Sequence, residues 1–384
     1  MRRRRVYIAR AGVVSPYGAG IDSLGSGLLS GRCALRQVPF AGIGPLAVGA
    51  CEYISRHSGE DRTITMLRDC LDQFREDLDP LLPLVSPERR AVCAATSKGA
   101  FLTMAEVPPE QWPPLPDLLP GAPANWLARA IGACGPRQSL VGACATGLMN
   151  VIRAGEWVAE GHADIALAAA AEASLTPVYL QSFLGLGAMN RVGCFPYDTR
   201  EAGLVAGEGA AVLLLVSEEV VERGCIDPLG EWLGGLSLAE AYHPTAINTD
   251  GQQIIRMVRT LLKQTGISLA EIDVICTHGT GTVGNDRAEA AALLQLYPEK
   301  MPHIFATKGA IGHLMGATGI VELAACLTIR HNLLPTVGFH TPAPGAERLN
   351  LRRTAGTAEG INEVILKWSL GFGGHLAAGL LRAA

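Results

Sequence analysis

Four residues of this 384-residue chain are of types that can supply a nucleophile or exchange and stabilise charge: Cys144, His278, Lys308 and His313. Cys144 lies in Val141-Gly142-Ala143-Cys144-Ala145-Thr146-Gly147, among side chains too small to cover a sulfur. After it Leu148, Val151, Ile152 and Gly155 recur at helical spacing, so the cysteine stands where a loop enters a buried helix. Free N–H groups in a first helical turn, with the positive end of the dipole, favour thiolate and would hold an oxyanion formed by attack from that sulfur. A small, unreactive buried cysteine is the competing reading, and the heptapeptide alone does not separate the two.

The stretch Thr277-His278-Gly279-Thr280-Gly281-Thr282 sets a histidine before hydroxyls that alternate with glycines. Glycine lets a ligand approach the backbone, and the hydroxyls offer hydrogen bonds to a polar, flexible ligand. A solvent-exposed turn is the alternative. Between Lys308 and Gly319 a lysine and a second histidine, His313, sit in an almost wholly apolar neighbourhood. A buried ammonium needs an acid, and Glu322, within an otherwise apolar helix, is the candidate partner of Lys308.

These residues need elements that deliver them to one place. The pattern predicts strands over 6–14, 91–95, 139–141, 162–170, 210–216, 273–276, 304–306, 363–367 and 376–381. Helices are expected over 21–29, 63–78, 124–131, 251–264, 287–296 and 316–331, and from Leu148 onward. The proline-rich stretch 108–123 can hold little regular structure. Strand, helix, strand around Cys144 is a βαβ unit and implies a parallel sheet covered on both faces. The second half repeats this grammar. Ligands bind beyond the carboxyl ends of such strands, where Cys144, His278 and Lys308 all fall.

Composition excludes several classes. With 48% hydrophobic and 18% charged residues the chain is a compact globular protein, and 384 residues suffice for a large core in one or two units. A formal charge of −4 supplies no overall basic field, which argues against nucleic acid. The ten cysteines form no C-x-x-C pair and no His/Cys cluster at ligand spacing, so a reduced cytoplasmic chain without a metal is expected. Arg10 breaks the apolar run after Met1-Arg2-Arg3-Arg4-Arg5, so the start reads as a basic leader before a strand, not as a secretion signal. No apolar run approaches the ~18 residues of a membrane span. Neither 203–209 nor 371–374 is followed by Gly-Lys-Ser/Thr, which disfavours a nucleotide site.

In this order, Cys144, His278, Lys308 and His313 resemble the β-ketoacyl-acyl carrier protein synthases of the thiolase superfamily. The match extends to Gly18 after Val13-Val14-Ser15-Pro16, Phe195-Pro196-Tyr197-Asp198, the run 203–210, Asp286 and Glu289, and Gly371-Phe372-Gly373-Gly374. The resemblance implies an α/β thiolase-like fold, two related halves stacked as α-β-α-β-α layers, with residues 1–205 carrying the nucleophile and 206–384 both histidines. It implies decarboxylative Claisen condensation of a Cys144-bound acyl chain with malonyl-acyl carrier protein, in fatty-acid or polyketide synthesis. Cys144 is then the nucleophile, with an oxyanion hole from the N–H groups of Cys144 and Phe372, and Phe372 as the gate. His278 and His313 would hold the enolate, Lys308 and Glu322 would support them, and Thr280 and Thr282 would bind the phosphopantetheine arm. That arm arrives on the carrier, so no cofactor of the protein's own is implied. The expected partners are an acyl carrier protein and a second subunit, identical or homologous.

His313, where the initiating branch of the superfamily has asparagine, implies the elongating Cys-His-His type. Trp368-Ser369-Leu370-Gly371 and His375-Leu376 replace a closing motif that usually carries two asparagines, and Ala169-Ala170-Ala171-Glu172 replaces Gly-Gly-x-Glu. These departures favour a specialised synthase of the aryl-polyene or related polyketide type. A cysteine hydrolase or simple acyltransferase has no use for the second histidine, and a silent chain-length subunit has no use for Cys144. Carrier docking is expected to use Arg32, Arg36, Arg129 and Arg200.

Overall fold

The computed structural model describes residues 3–52, 60–329, 332–357 and 364–383. The apolar runs become the strands of one large sheet: β1 (Val6–Ser15), β2 (Arg90–Ala95), β3 (Arg137–Gln138), β4 (Ile165–Glu172), β5 (Gly209–Ser217), β6 (Gly230–Ala239), β7 (Val274–Cys276), β8 (His303–Phe305), β9 (Val364–Gly371) and β10 (His375–Ala383). Their order is β8-β7-β9-β10-β6-β1-β5-β4-β2-β3. Split between β1 and β6, this is one arrangement used twice. In each half the second strand lies parallel to the third and fourth, the fifth returns antiparallel, and the first lies outermost beyond the fifth. The halves join where Val6–Ile8 pairs with Gly230–Trp232.

Because β5 completes the first half, the repeat divides between Ser217 and Gly230, later than the expected 205/206. The glycine-rich run 203–209 turns the chain within the first half.

The longer helices among the described residues are α1 (Ile21–Leu29), α2 (Arg62–Asp72), α3 (Ala122–Ala130), α4 (Thr146–Ala159), α5 (Pro177–Gly185), α6 (Gln252–Thr265), α7 (Val283–Leu296) and α8 (Thr318–Cys326). α2 and α3 pack outside the first half, and α6, backed by α7, outside the second. Between the halves α4 and α8 pack on each other and on strands of both, which gives the expected five layers. The three largest apolar cores fill the gaps between layers. Leu148, Val151, Ile320 and Leu323 belong to the central one, Leu67, Leu71 and Leu127 to the first outer one, and Ile254, Leu261 and Leu293 to the second. Closely packed glycines hold the central helices together. A Cβ on Gly147 would fall 2.9 Å from Ile320 Cγ2, and one on Gly319 would fall 2.8 Å from Ser369 Oγ.

Several expectations are corrected. Residues 139–141 form no strand, because the Asn150 side chain takes the place of a neighbour: its Nδ2 donates to Leu140 O (2.9 Å) and its Oδ1 accepts from Leu140 N (3.2 Å). The helix expected over 63–78 breaks after Asp72, where the Gln73 side chain turns to bond both backbone groups of Val13. The stretch 32–87 also holds a hairpin, Arg36–Phe40 with Gly44–Val48, and β6 was not foreseen because Gly234 and Gly235 interrupt its alternation. The last central helix ends at Cys326; its expected end, His331, and the expected strand start, Glu363, lie outside the described residues. No helix among the described residues is long and apolar enough to cross a membrane.

Candidate active site

Cys144 sits in a single 3₁₀ turn, Ala143–Ala145, that runs straight into α4. The turn begins with Ala143 at φ +48°, a left-handed conformation that costs an alanine about 1 kcal/mol. Thr146 offsets this by accepting from Gly142 N (3.0 Å) and donating to Ala143 O (2.7 Å). The end of β9 closes on the same spot. A Cβ on Gly371 would come 2.6 Å from Gly142 O and 3.3 Å from Cys144 N, so only glycine permits the approach. The next N–H, that of Phe372, donates to the Cys144 sulfur. One of the two backbone donors expected of an oxyanion hole, the Phe372 N–H, therefore reaches Sγ.

The resting state of that sulfur differs from expectation. Burial pushes the Cys144 thiol up to about 11, against the smaller opposing pulls of Lys308, Lys98 and the Phe372 N–H. Desolvation outweighs the helix dipole, so the free protein holds a thiol.

His278 follows β7 and His313 follows Gly312; their rings lie 5.4 Å apart, edge to face. One donor atom from each of Cys144, His278 and His313 lies within 4.8 Å of the others. A zinc ion would accept the same spacing, which no sequence pattern announces because the three come from three separate turns. Burial, reinforced by Lys308, holds both histidines well below their usual pKa, so both are neutral at pH 7. Met315 N donates to His313 Nδ1 (2.9 Å), which puts the His313 proton on Nε2. The loop after β7 is held from behind by Glu289, which accepts from the N–H groups of His278 (2.6 Å) and Gly279 (2.7 Å).

Lys308 and Glu322 are fully buried and paired at 2.8 Å, as expected. Lys308 also donates to His278 O, which ties the ammonium to the histidine loop. A third member was missed: Lys367 of β9 lies 2.8 Å from the other Glu322 oxygen. Its signal was a lone lysine in the apolar run 364–370. Also missed was a pair beside the site, half-buried Lys98 with fully buried Glu172; Glu172 could have been found as the one charge ending the alanine-rich run 166–171.

A cavity of about 530 Å³ opens over these groups, lined by Cys144, His278, His313, Thr280, Thr282 and Phe372, with Phe183 stacked 6.1 Å from Phe372. The Thr280 and Thr282 hydroxyls bond each other at 2.7 Å. None of Arg32, Arg36, Arg129 and Arg200 lines it. Arg200 is held by Asp198 (2.6 Å), and Arg36 pairs with Glu52.

Comparison with known proteins agrees with this geometry. Residues 85–220 match the family described as β-ketoacyl synthase, N-terminal domain, and 232–339 the corresponding C-terminal domain. The chain is 29% identical to the granaticin polyketide putative β-ketoacyl synthase 1 of Streptomyces violaceoruber, over 98% of both chains. It is also 29% identical to 3-oxoacyl-[acyl-carrier-protein] synthase 2 of Rhizobium meliloti, over 99% of both. Among solved structures, a type II polyketide ketosynthase in complex with its acyl-carrier protein superposes with a TM-score of 0.91 at 25% identity, over the whole of both chains. The ishigamide ketosynthase/chain length factor gives 0.84 at 26%, again over the whole of both.

Proposed function

The chain belongs to the β-ketoacyl synthase family, and we propose that it joins a Cys144-bound acyl chain to malonyl-acyl carrier protein with loss of carbon dioxide. The observation that carries this reading is the meeting of a thiol and two neutral histidines, within 4.8 Å of each other, at a cavity wide enough for a pantetheine arm.

In the first step Sγ of Cys144 attacks the carrier thioester, and the N–H groups of Cys144 and Phe372 hold the oxyanion. The thiol proton leaves with the departing pantetheine sulfur, so the enzyme gains an acyl group and no charge. Malonyl carrier then enters along Thr280 and Thr282. Its carboxylate leaves as carbon dioxide, and the N–H donors of His278 and His313 hold the enolate oxygen. Neutral imidazoles suit this task, because each donates a hydrogen bond without titrating in the working range. The enolate carbon attacks the acyl carbonyl, the C–S bond to Cys144 breaks, and the departing thiolate takes up a proton from water to restore the thiol. Lys308, balanced by Glu322, fixes the His278 loop through its carbonyl.

No cofactor beyond the carrier's own arm is needed for these steps. The ten cysteines, all free, suit a cytoplasmic protein. By analogy with the solved ketosynthase complexes, the partners are an acyl carrier protein and a second ketosynthase-like subunit, identical or homologous. The departures from the usual motifs support a specialised, aryl-polyene-like role. Trp368 stands in place of the usual asparagine and donates its indole N–H to the Glu289 carboxylate behind the histidine loop. Intact mass after incubation with acyl carrier should show one acyl adduct, absent from Cys144→Ala, and malonyl carrier should then release carbon dioxide and β-ketoacyl product. Absence of an adduct with every acyl carrier, with and without a copurifying homologue, would sink the reading.

A further inference from the structure

Two Thr-Lys-Glu groups flank Cys144, one from each half. In the second half, Thr307 Oγ1 (2.7 Å) and Lys308 Nζ (2.8 Å) both bond Glu322. In the first, Thr96 Oγ1 bonds Glu172 Oε1 (3.0 Å) and Lys98 Nζ bonds Glu172 Oε2. Each lysine follows a strand end, and each glutamate is fully buried. The first group has no part in the chemistry described above.

Its position ties it to the nucleophile on two sides. Lys98 Nζ lies 4.5 Å above the Tyr179 ring, whose neighbour Phe183, at 4.8 Å, lines the cavity beside Cys144. On the other side, Glu172 Oε1 lies 3.1 Å from where a Cβ on Gly316 would stand, and Gly316 O lies 3.0 Å from the same position on Gly147, just past the nucleophile. We propose that Lys98, held by Glu172, is a second positioning cation of Cys144, which keeps the sulfur within reach of deprotonation during acyl transfer. This rests on the reading of Cys144 as the acyl acceptor.

Among the described residues, the charged and titratable groups that face the sulfur are few. They are Lys98 after β2, Glu172 at the end of β4, Tyr179 on α5, His278 after β7, Lys308 after β8 and His313 before α8. His375, at the start of β10, has its ring against Gly142. Lys98 and Lys308 favour the thiolate, whereas Glu172 opposes it. Removing either member of the Lys98–Glu172 pair therefore leaves the other uncompensated, with opposite effects on the sulfur.

The test is the pH dependence of Cys144 alkylation by iodoacetamide, read by intact mass, with melting temperature as the check on folding. Lys98→Met should slow alkylation at pH 8 by about threefold to tenfold, equivalent to half a pH unit to one, while the high-pH plateau is unchanged. Lys98→Arg should restore the wild-type profile, and Glu172→Gln should move it the other way. A wild-type profile for a folded Lys98→Met overturns the proposal, as does a shift of the same sign in both variants. If Glu172→Gln does not fold, the Met and Arg variants decide alone. Alkylation needs neither carrier nor malonyl group, so an unmoved profile beside normal condensation sinks only the role of Lys98. A moved profile without an acyl adduct sinks only the condensing reading.

Discussion

The turn that enters α4 and the turn that enters α8 share one backbone. Ala143-Cys144-Ala145-Thr146-Gly147 begins at φ +48°, and Met315-Gly316-Ala317-Thr318-Gly319 at φ +47°; each makes a 3₁₀ turn and starts its helix at the threonine. The occupants differ. The first half keeps a side chain at the second position, the Cys144 thiol, whereas the second keeps none. A Cβ on Gly316 would fall 3.0 Å from Ser97 Cβ and 3.1 Å from Glu172 Oε1. The second half instead places its chemistry three residues earlier, at His313. A duplicated scaffold thus supplies two equivalent positions, and close packing of Gly316 against Ser97 and Glu172 leaves room for a side chain at only one.

Exchanging these roles tests that asymmetry. The largest effect should come from His313→Ala, which spares acylation of Cys144 but lowers condensation about 10²–10³-fold, the cost of a lost oxyanion donor. Equal loss of both steps, measured by adduct mass and carbon dioxide release, would erase the division between the two turns. Next, Gly316→Ala should destabilise the fold by about 1–3 kcal/mol through overpacking, seen as a lower denaturation midpoint. An unchanged midpoint would mean that the second turn has room for a side chain after all. The equivalent threonines should then part company. Thr146→Val removes both bonds that staple its turn and should cost about 1 kcal/mol in stability. Thr318 touches His313 Nδ1 at 3.2 Å, so Thr318→Val should act on condensation, by a few-fold, more than on the denaturation midpoint.

The smallest effect at neutral pH is acid sensitivity, and it belongs to the second half, which holds both histidines. Their folded pKa values lie well below 6.5, so below that pH the unfolded chain binds more protons than the folded one. Stability should therefore fall as pH drops through 6.5 toward the folded values. Replacing both histidines with glutamine should make this limb shallower, with buried His303, held down to about 4, supplying what remains, and an unaltered limb would place the sensitivity elsewhere.

Much of this was legible beforehand. Cys144, His278, Lys308, His313 and Glu322 could be picked out because each is a reactive or charged residue in a run of small or apolar neighbours, and the strand-helix grammar put three of them at strand ends. The short strand β3 and the position of β6 were not legible. An asparagine side chain takes over where β3 would have continued, and paired glycines disguise β6. The correspondence of Ala145-Thr146-Gly147 with Ala317-Thr318-Gly319 was present in the letters, but it has meaning only once both turns are seen to face each other.

The sequence by itself determined the chemistry, because thiol, imidazole and ammonium are properties of residue types and their local setting follows from hydrophobic period and turn residues. Tertiary structure decided their state and their teamwork. Only the packed fold brings donors from three separate turns within 4.8 Å, and only burial there turns an expected thiolate into a thiol and two titratable histidines into neutral donors. Desolvation acts through everything that surrounds a group, and most of what surrounds Cys144 comes from distant parts of the chain.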